Sequence, residues 1–212
     1  MRRTWLLWIA ALAIIGIGIP GCSSILAPRP DPTHFFVLAA HDSAPAQTVA
    51  QPGKTAVTVG LGPIAFPDYL ARAEIVTRST ANRIDVAAND RWAEPLDTAF
   101  KRVLAIDLAQ ALGGAQVVAF PWFGTKPEAT YRIEVTIDSF ESNAQGLAHL
   151  AGRWSIVKAA DGATLDASSS AINVPGAAGD RAAMAAALSE AAEHLAQDLA
   201  AAVERLRRAR SD

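Results

Sequence analysis

The sequence predicts an α+β fold in which two helices pack on a largely antiparallel sheet within a single domain. Two sets of four strand-like segments, rich in aromatic and β-branched residues, each precede one segment with helical spacing of apolar residues. Two of the strand pairs are separated only by short turns, and strands joined by a tight turn pair antiparallel. This order of elements is typical of helices packed on an antiparallel sheet.

Four strands are predicted in the first half of the domain. Each is a run of apolar or β-branched residues bounded by Pro, Gly, Ser or Asn. The third and fourth strands are joined by residues 79–82 and form a predicted hairpin, whereas residues 41–54 form a predicted loop. The four predicted strands are residues 34–38, 56–64, 74–78 and 83–87.

The first helix follows the pair Glu94-Pro95, and proline is favoured in the first turn of a helix. The helical spacing continues until Gly113-Gly114, which predicts the C-terminal end. The apolar residues that define its buried face are Leu96, Phe100, Val103, Leu104, Leu108, Ala111 and Leu112.

Four further strands and a second helix are predicted in the second half. Asp161-Gly162 is a strong hairpin signal between the last two strands. The C-terminal stretch, residues 181–208, places an apolar stripe at helical spacing and predicts a long amphipathic helix. The four predicted strands are residues 115–120, 130–140, 146–158 and 163–174.

The N-terminus has the features of an export signal. Arg2 and Arg3 precede an almost unbroken apolar run at residues 5–20, and Cys22 follows that run. The run is shorter than the roughly 20 residues that a straight transmembrane helix needs. A permanent transmembrane anchor is the alternative interpretation.

Cys22 is the only cysteine in the 212 residues, which excludes a disulfide within the chain. Residues 19–22, Ile-Pro-Gly-Cys, resemble a bacterial lipobox, in which the cysteine thiol is linked to diacylglycerol and becomes the acylated N-terminus after cleavage. The resemblance predicts that residues 1–21 are a lipoprotein signal peptide cut after Gly21. Two or three acyl chains on Cys22 meet the requirement for stable membrane anchoring, which a single chain does not.

A linker is predicted between this anchor and the folded domain. Pro28, Pro30 and Pro32 alternate within residues 22–33, and this spacing favours an extended chain. At roughly 3.1 Å per residue, the linker could hold the domain about 30 Å from the lipid surface. The folded domain is therefore expected to span residues 34–212.

Composition disfavours several functional classes. Without residues 1–21 the chain keeps 17 basic and 21 acidic residues, a net charge of −4, so a partner nucleic acid is not expected. No G-x-S-x-G or H-E-x-x-H motif occurs, and the single cysteine is assigned to the lipid, so we expect no catalytic residue, no metal site and no cofactor. The four histidines lack ligand-like spacing: His34, His41, His149 and His194.

Residues 60–65 match G-x-G-x-x-A after a predicted strand. A dinucleotide site needs a helix that opens at these glycines, but Pro63 and Pro67 bracket the turn and no long helix follows. We interpret the motif as a strand-ending turn.

Two segments place aromatic groups beside charges in predicted loops, at residues 89–96 and 120–123. Exposed Trp and Arg side chains dominate binding hot spots. An alternative for Trp92 is that it packs at the start of the first helix, beside Glu94 and Pro95. The predicted partner-binding residues are Arg91, Trp92, Phe120, Pro121, Trp122 and Phe123.

The chain resembles the ABC-type transport auxiliary lipoprotein family. The resemblance rests on the lipobox and linker and on these segments, in this order: HFFVL, GLGPIAFPDYLARAEIVTR, NRIDVAANDRWAEPL, VVAFPW, YRIEVTIDSFES and an Ala-rich C-terminal helix. It implies a non-enzymatic subunit of a mammalian cell entry (MCE) system, which moves lipids between the two membranes of a Gram-negative envelope.

By this resemblance, the lipoprotein sits on the periplasmic face of the outer membrane. Its expected partner is an MCE-domain protein and, through it, an inner-membrane transport complex. Ser23 follows the lipidated cysteine, and the lack of Asp there is compatible with outer-membrane delivery. The alternative is a general envelope-maintenance lipoprotein that binds cell wall or another envelope protein. The sequence leaves open the number of copies, the lipid and the direction of transport.

Overall fold

The computed structural model describes residues 30–41, 58–122 and 129–211. Contacts divide the chain into two compact units, Met1–Pro32 and Thr33–Asp212. The fold described here is that of the second unit. The predicted signal peptide, Cys22 and Phe123 lie outside the described residues.

The predicted α+β class is confirmed. The described residues form four strands, a helix, four strands and a helix, in the predicted order, and a 3-10 turn at Asp68–Leu70 precedes β3. The elements are β1 (His34–Phe36), β2 (Thr58–Ala65), β3 (Glu74–Thr80), β4 (Arg83–Trp92), α1 (Leu96–Ala111), β5 (Gln116–Ala119), β6 (Tyr131–Asn143), β7 (Leu147–Lys158), β8 (Thr164–Pro175) and α2 (Arg181–Ser211).

Three pairings among the described strands are antiparallel, β6 with β7, β7 with β8, and β3 with β4, and the first two are the longest in the sheet. Four pairings are parallel and join β1 to β4, β2 to β5, β2 to β6, and β3 to β6. One edge of β6 contacts β7, while its other edge contacts β2 near residue 131 and β3 near residue 142. The strand β6 therefore joins a β2–β5 arm and a β3–β4–β1 arm to the β7–β8 hairpin.

The prediction that residues 89–92 form a loop is wrong. The strand β4 continues past the predicted end at residue 87 to Trp92, because its last residues pair with β1, with His34 opposite Asp90 and Phe36 opposite Trp92. The partner strand lies far away in the sequence, so no local pattern signals this pairing.

The helices cover one face of the sheet and enclose the core. Phe100 of α1 and Phe140 of β6 are fully buried, and their rings meet edge to face at 5.0 Å. Phe66 completes the cluster at 5.0 Å from Phe100. Aromatic pairs in this geometry stabilise a core beyond their buried area. No helix within the described ranges has a stretch that is both long and apolar enough to cross a membrane.

Candidate functional site

An exposed aromatic surface follows β5, and we call Phe120, Pro121 and Trp122 the aromatic ridge. The Phe120 amide donates to the Leu61 carbonyl at 2.7 Å, which continues the pairing of β5 with β2. Phe120 is 40% exposed, Pro121 is exposed and Trp122 is half-buried. The ridge therefore presents apolar surface to solvent from a position fixed by the sheet.

Two glycines of β2 allow the side chains of the ridge to pack closely against the strand. A Cβ on Gly60 would lie 3.3 Å from Cζ2 of Trp122, so the glycine lets the indole rest on the strand. Gly62 has φ +115°, and a Cβ there would lie 2.8 Å from Cβ of Phe120. Only glycine adopts this conformation readily. The prediction that residues 60–65 form a strand-ending turn is wrong, since β2 continues through them to Ala65. The two glycines lie within the strand and make room for the aromatic side chains.

The two aromatic rings of the ridge pack against each other. Phe120 and Trp122 meet edge to face at 5.3 Å, and the indole N–H donates to the Val118 carbonyl at 3.4 Å. A side chain ordered before binding loses less conformational entropy when it meets a partner. The two rings are therefore ordered, while part of their apolar surface stays exposed.

The structure buries Trp92, one of the two segments' aromatic residues. This side chain is only 5% exposed and belongs to the hydrophobic core beside Leu96 at the start of α1. Its position fits the alternative interpretation, in which it packs at the helix start. Partner contact through Trp92 would require the core to open.

Arg91 is half-exposed and forms an ion pair with Glu74 across the β3–β4 pairing, at 3.5 Å. Its Nε is buried and finds no hydrogen-bond partner among the described residues. In the sheet, β3, β6 and β2 separate β4 from β5. The structure therefore does not bring the two predicted aromatic segments together.

A buried polar cluster, which sequence reasoning missed, centres on one carboxylate and links β6 to β3 and to the 3-10 turn. Glu141 of β6 is 2% exposed and accepts hydrogen bonds from the Tyr69 hydroxyl at 2.7 Å and the Phe140 amide at 2.8 Å. The Arg78 guanidinium pairs with the same carboxylate and lies over the Tyr69 ring. Burial and the hydrogen bond to Glu141 raise the pKa of Tyr69 to about 12.

A second polar chain links β7, β8 and α2. The Trp154 indole N–H donates to Oγ of Ser170 at 3.2 Å, and that hydroxyl donates to Asp198 at 2.7 Å. A nucleophilic serine needs a base that is in turn oriented by a third group. Within the described residues, the four histidines contact Asp90, Glu193, Asn173 and Glu190 rather than Ser170. The described ranges hold no group of three or more residues suited to bind a metal ion.

The chain is similar in sequence to a family of transport lipoproteins. A family model described as ABC-type transport auxiliary lipoprotein component matches residues 36–200. The intermembrane transport lipoprotein PqiC of Escherichia coli K12 is 26% identical over 152 residues, which are 72% of this chain and 73% of PqiC. The match to the family model includes Trp92 and the ridge.

Two crystal structures share the fold. One, of an uncharacterized protein, has a TM-score of 0.64 at 18% identity and covers 81% of this chain and 98% of its own. The other, from Xanthomonas campestris, has a TM-score of 0.59 at 16% identity and covers 78% and 92%. These matches support the same α+β architecture.

Proposed function

The chain belongs to the ABC-type transport auxiliary lipoprotein family, and on this premise we propose that it is a non-enzymatic docking subunit of an MCE lipid-transport system. In this role it is anchored by Cys22 in the periplasmic face of the outer membrane. Its folded domain receives the periplasmic conduit that an MCE-domain protein forms with an inner-membrane complex.

The sequence around Cys22 supports the proposed lipid anchor. A positively charged start, an apolar run and the residues Gly21-Cys22 match the order of a lipoprotein signal. A lipidated N-terminus followed by a proline-rich linker leaves the domain free to meet a partner within reach of the membrane surface.

The aromatic ridge is the observation that carries the docking role. Phe120 and Trp122 are held by β2 and by each other, and they still expose apolar surface. Rigid aromatic groups of this kind are enriched at the centres of protein interfaces. Burying the exposed part of the ridge against a partner would stabilise the complex without reorganising the domain.

Copurification of the tagged full chain from detergent-solubilised envelopes tests the proposal. Phe120→Ala is compared with Leu165→Ala on β8, because both side chains are 40% exposed and both changes remove a large apolar group. We expect an MCE-domain protein among the wild-type partners, identified by mass spectrometry. Loss of an interface anchor is expected to lower its yield at least about tenfold for Phe120→Ala, and Leu165→Ala is expected to leave it unchanged.

Two results would contradict the proposal. One is an equal yield of the MCE-domain protein from both variants, which would remove the ridge from the interface. The other is copurification with cell-wall material or another envelope protein, with no MCE-domain protein present. That second result would favour the general envelope-maintenance role.

A further inference from the structure

A groove of about 750 Å³ runs between residues 35–41 and one face of α2. Its strand side exposes two large apolar residues, Phe35 at 66% and Val37 at 56%. Its helix side begins with alanines and ends with charged residues. The helix residues that line it recur at helical spacing: Ala182, Ala185, Ala186, Ser189, Glu190, Glu193 and His194.

The dimensions of the groove suit an extended chain. Residues 182–194 of α2 span about 18 Å, and residues 35–41 span about 20 Å when extended. An extended segment of about six residues would match that length.

The strand side also offers a free backbone edge at Phe35, before Ala39, whose amide donates to Oγ of Ser189 on the helix side at 3.1 Å. The Phe36 carbonyl accepts the Ala93 amide at 2.8 Å, on the side of β4. Because successive residues of a strand direct their backbone groups to opposite sides, the amide and carbonyl of Phe35 point away from β4. No other described strand pairs with β1. An extended segment in the groove could therefore add to the sheet at this edge.

The rim at the far end of the groove is acidic. Glu193 contacts His41 at 3.1 Å, and Glu190 lies 4.0 Å from His194. Glu190 and Glu193 therefore place two carboxylates at this end of the groove. A Lys or Arg side chain complements such a rim.

We propose that this groove binds an extended peptide segment of a partner protein, with apolar side chains on the strand side and a Lys or Arg at the acidic rim. The apolar lining, the free edge of β1 and the two glutamates each contribute to recognition. A lipid acyl chain would also fill the lining. It would leave the strand edge unpaired and bring an anionic headgroup towards Glu190 and Glu193.

Photo-crosslinking of the full chain in cells that naturally make it tests this proposal. p-Benzoylphenylalanine replaces Val37 in the groove or, as a control, Leu165 on β8, and both positions are exposed. We expect one discrete protein adduct from position 37 and none from position 165. Mass spectrometry of the adduct is expected to identify a segment that combines apolar residues with Lys or Arg.

A charge reversal tests the role of the rim. Glu190→Lys is expected to lower the yield of the position-37 adduct about fivefold or more, since it replaces an attraction by a repulsion. Asp138→Lys on β6 is the matched control, because its side chain is 49% exposed against 54% for Glu190. Immunoblotting of the uncrosslinked chain verifies that both variants accumulate equally.

Four results would overturn the proposal. They are an adduct of lipid mass, an adduct of the chain with itself, no adduct above the position-165 control, and a yield that Glu190→Lys leaves unchanged. The ridge lies on the β5 arm of the sheet and the groove at β1, so loss of the groove adduct would leave the docking role of the ridge untouched.

Discussion

Replacing Trp92 by alanine tests whether this residue belongs to the core. The indole is 5% exposed, and its strand pairs with β1 through Phe36. The side chain packs where β4 ends and α1 begins. Truncation therefore opens a cavity at the junction of a strand and a helix.

The loss in the free energy of unfolding that Trp92→Ala causes follows from the buried area of the indole. A tryptophan side chain buries about 200 Å², and at about 25 cal/mol per Å² this corresponds to about 5 kcal/mol. Measured Phe or Trp to Ala changes in cores cost about 3–5 kcal/mol. For a domain of this size, about 2–4 °C of melting temperature is lost per kcal/mol. We expect Trp92→Ala to lower the melting temperature of residues 33–212 by about 10 °C.

Circular dichroism melts of the two tryptophan variants provide the assay. Trp122 is half-buried and makes one long hydrogen bond, so Trp122→Ala is expected to cost only about 1–2 kcal/mol, or a few degrees. The reasoning fails if Trp92→Ala melts within about 3 °C of wild type. It also fails if Trp122→Ala is the more damaging change.

Three further predictions concern other parts of the molecule. Cys22→Ser is expected to abolish labelling by a clickable palmitate analogue, and equal labelling of variant and wild type would contradict the lipobox assignment. Tyr69→Phe is expected to lower the free energy of unfolding by about 1–2 kcal/mol in denaturant titration, because it removes a hydrogen bond to the buried Glu141 carboxylate; a loss below about 0.5 kcal/mol would contradict the role of the cluster. Burial, with the charge of Glu193, raises the pKa of Asp107, so the stability contribution of its protonated form is present at low pH and is lost as the pH rises through that pKa. Asp107→Asn is therefore expected to melt above wild type near pH 8 and to approach wild type near pH 4, and a gap that widens in acid would refute this sign.

Local signals predicted the elements whose limits are set by local chemistry. The helix α1 starts directly after Glu94-Pro95 and ends before Gly113-Gly114, which have φ of 69° and 85°. The Asp161-Gly162 turn lies between β7 and β8 as predicted. These boundaries depend on the backbone geometry of proline and glycine, so a few neighbouring residues are enough to predict them.

Features that depend on distant pairing were missed. The extension of β4 to Trp92 depends on pairing with β1. The position of the Trp122 indole depends on Gly60, which lies on another strand. Glu141 is buried because Tyr69 and an arginine of β3 satisfy its carboxylate. One sequence does not reveal which charged residue meets which partner, so the cluster and the groove became visible only in the folded chain.

In the proposed role, the lipid-anchored domain holds an MCE-domain partner at the outer membrane. Density-gradient fractionation of the envelope measures the share of that partner found with the outer membrane. We predict that this share falls when Cys22→Ser replaces the wild-type chain at equal abundance, because the chain then lacks the acyl anchor that holds it in the outer membrane. An unchanged distribution of the partner between the two membranes would contradict the account.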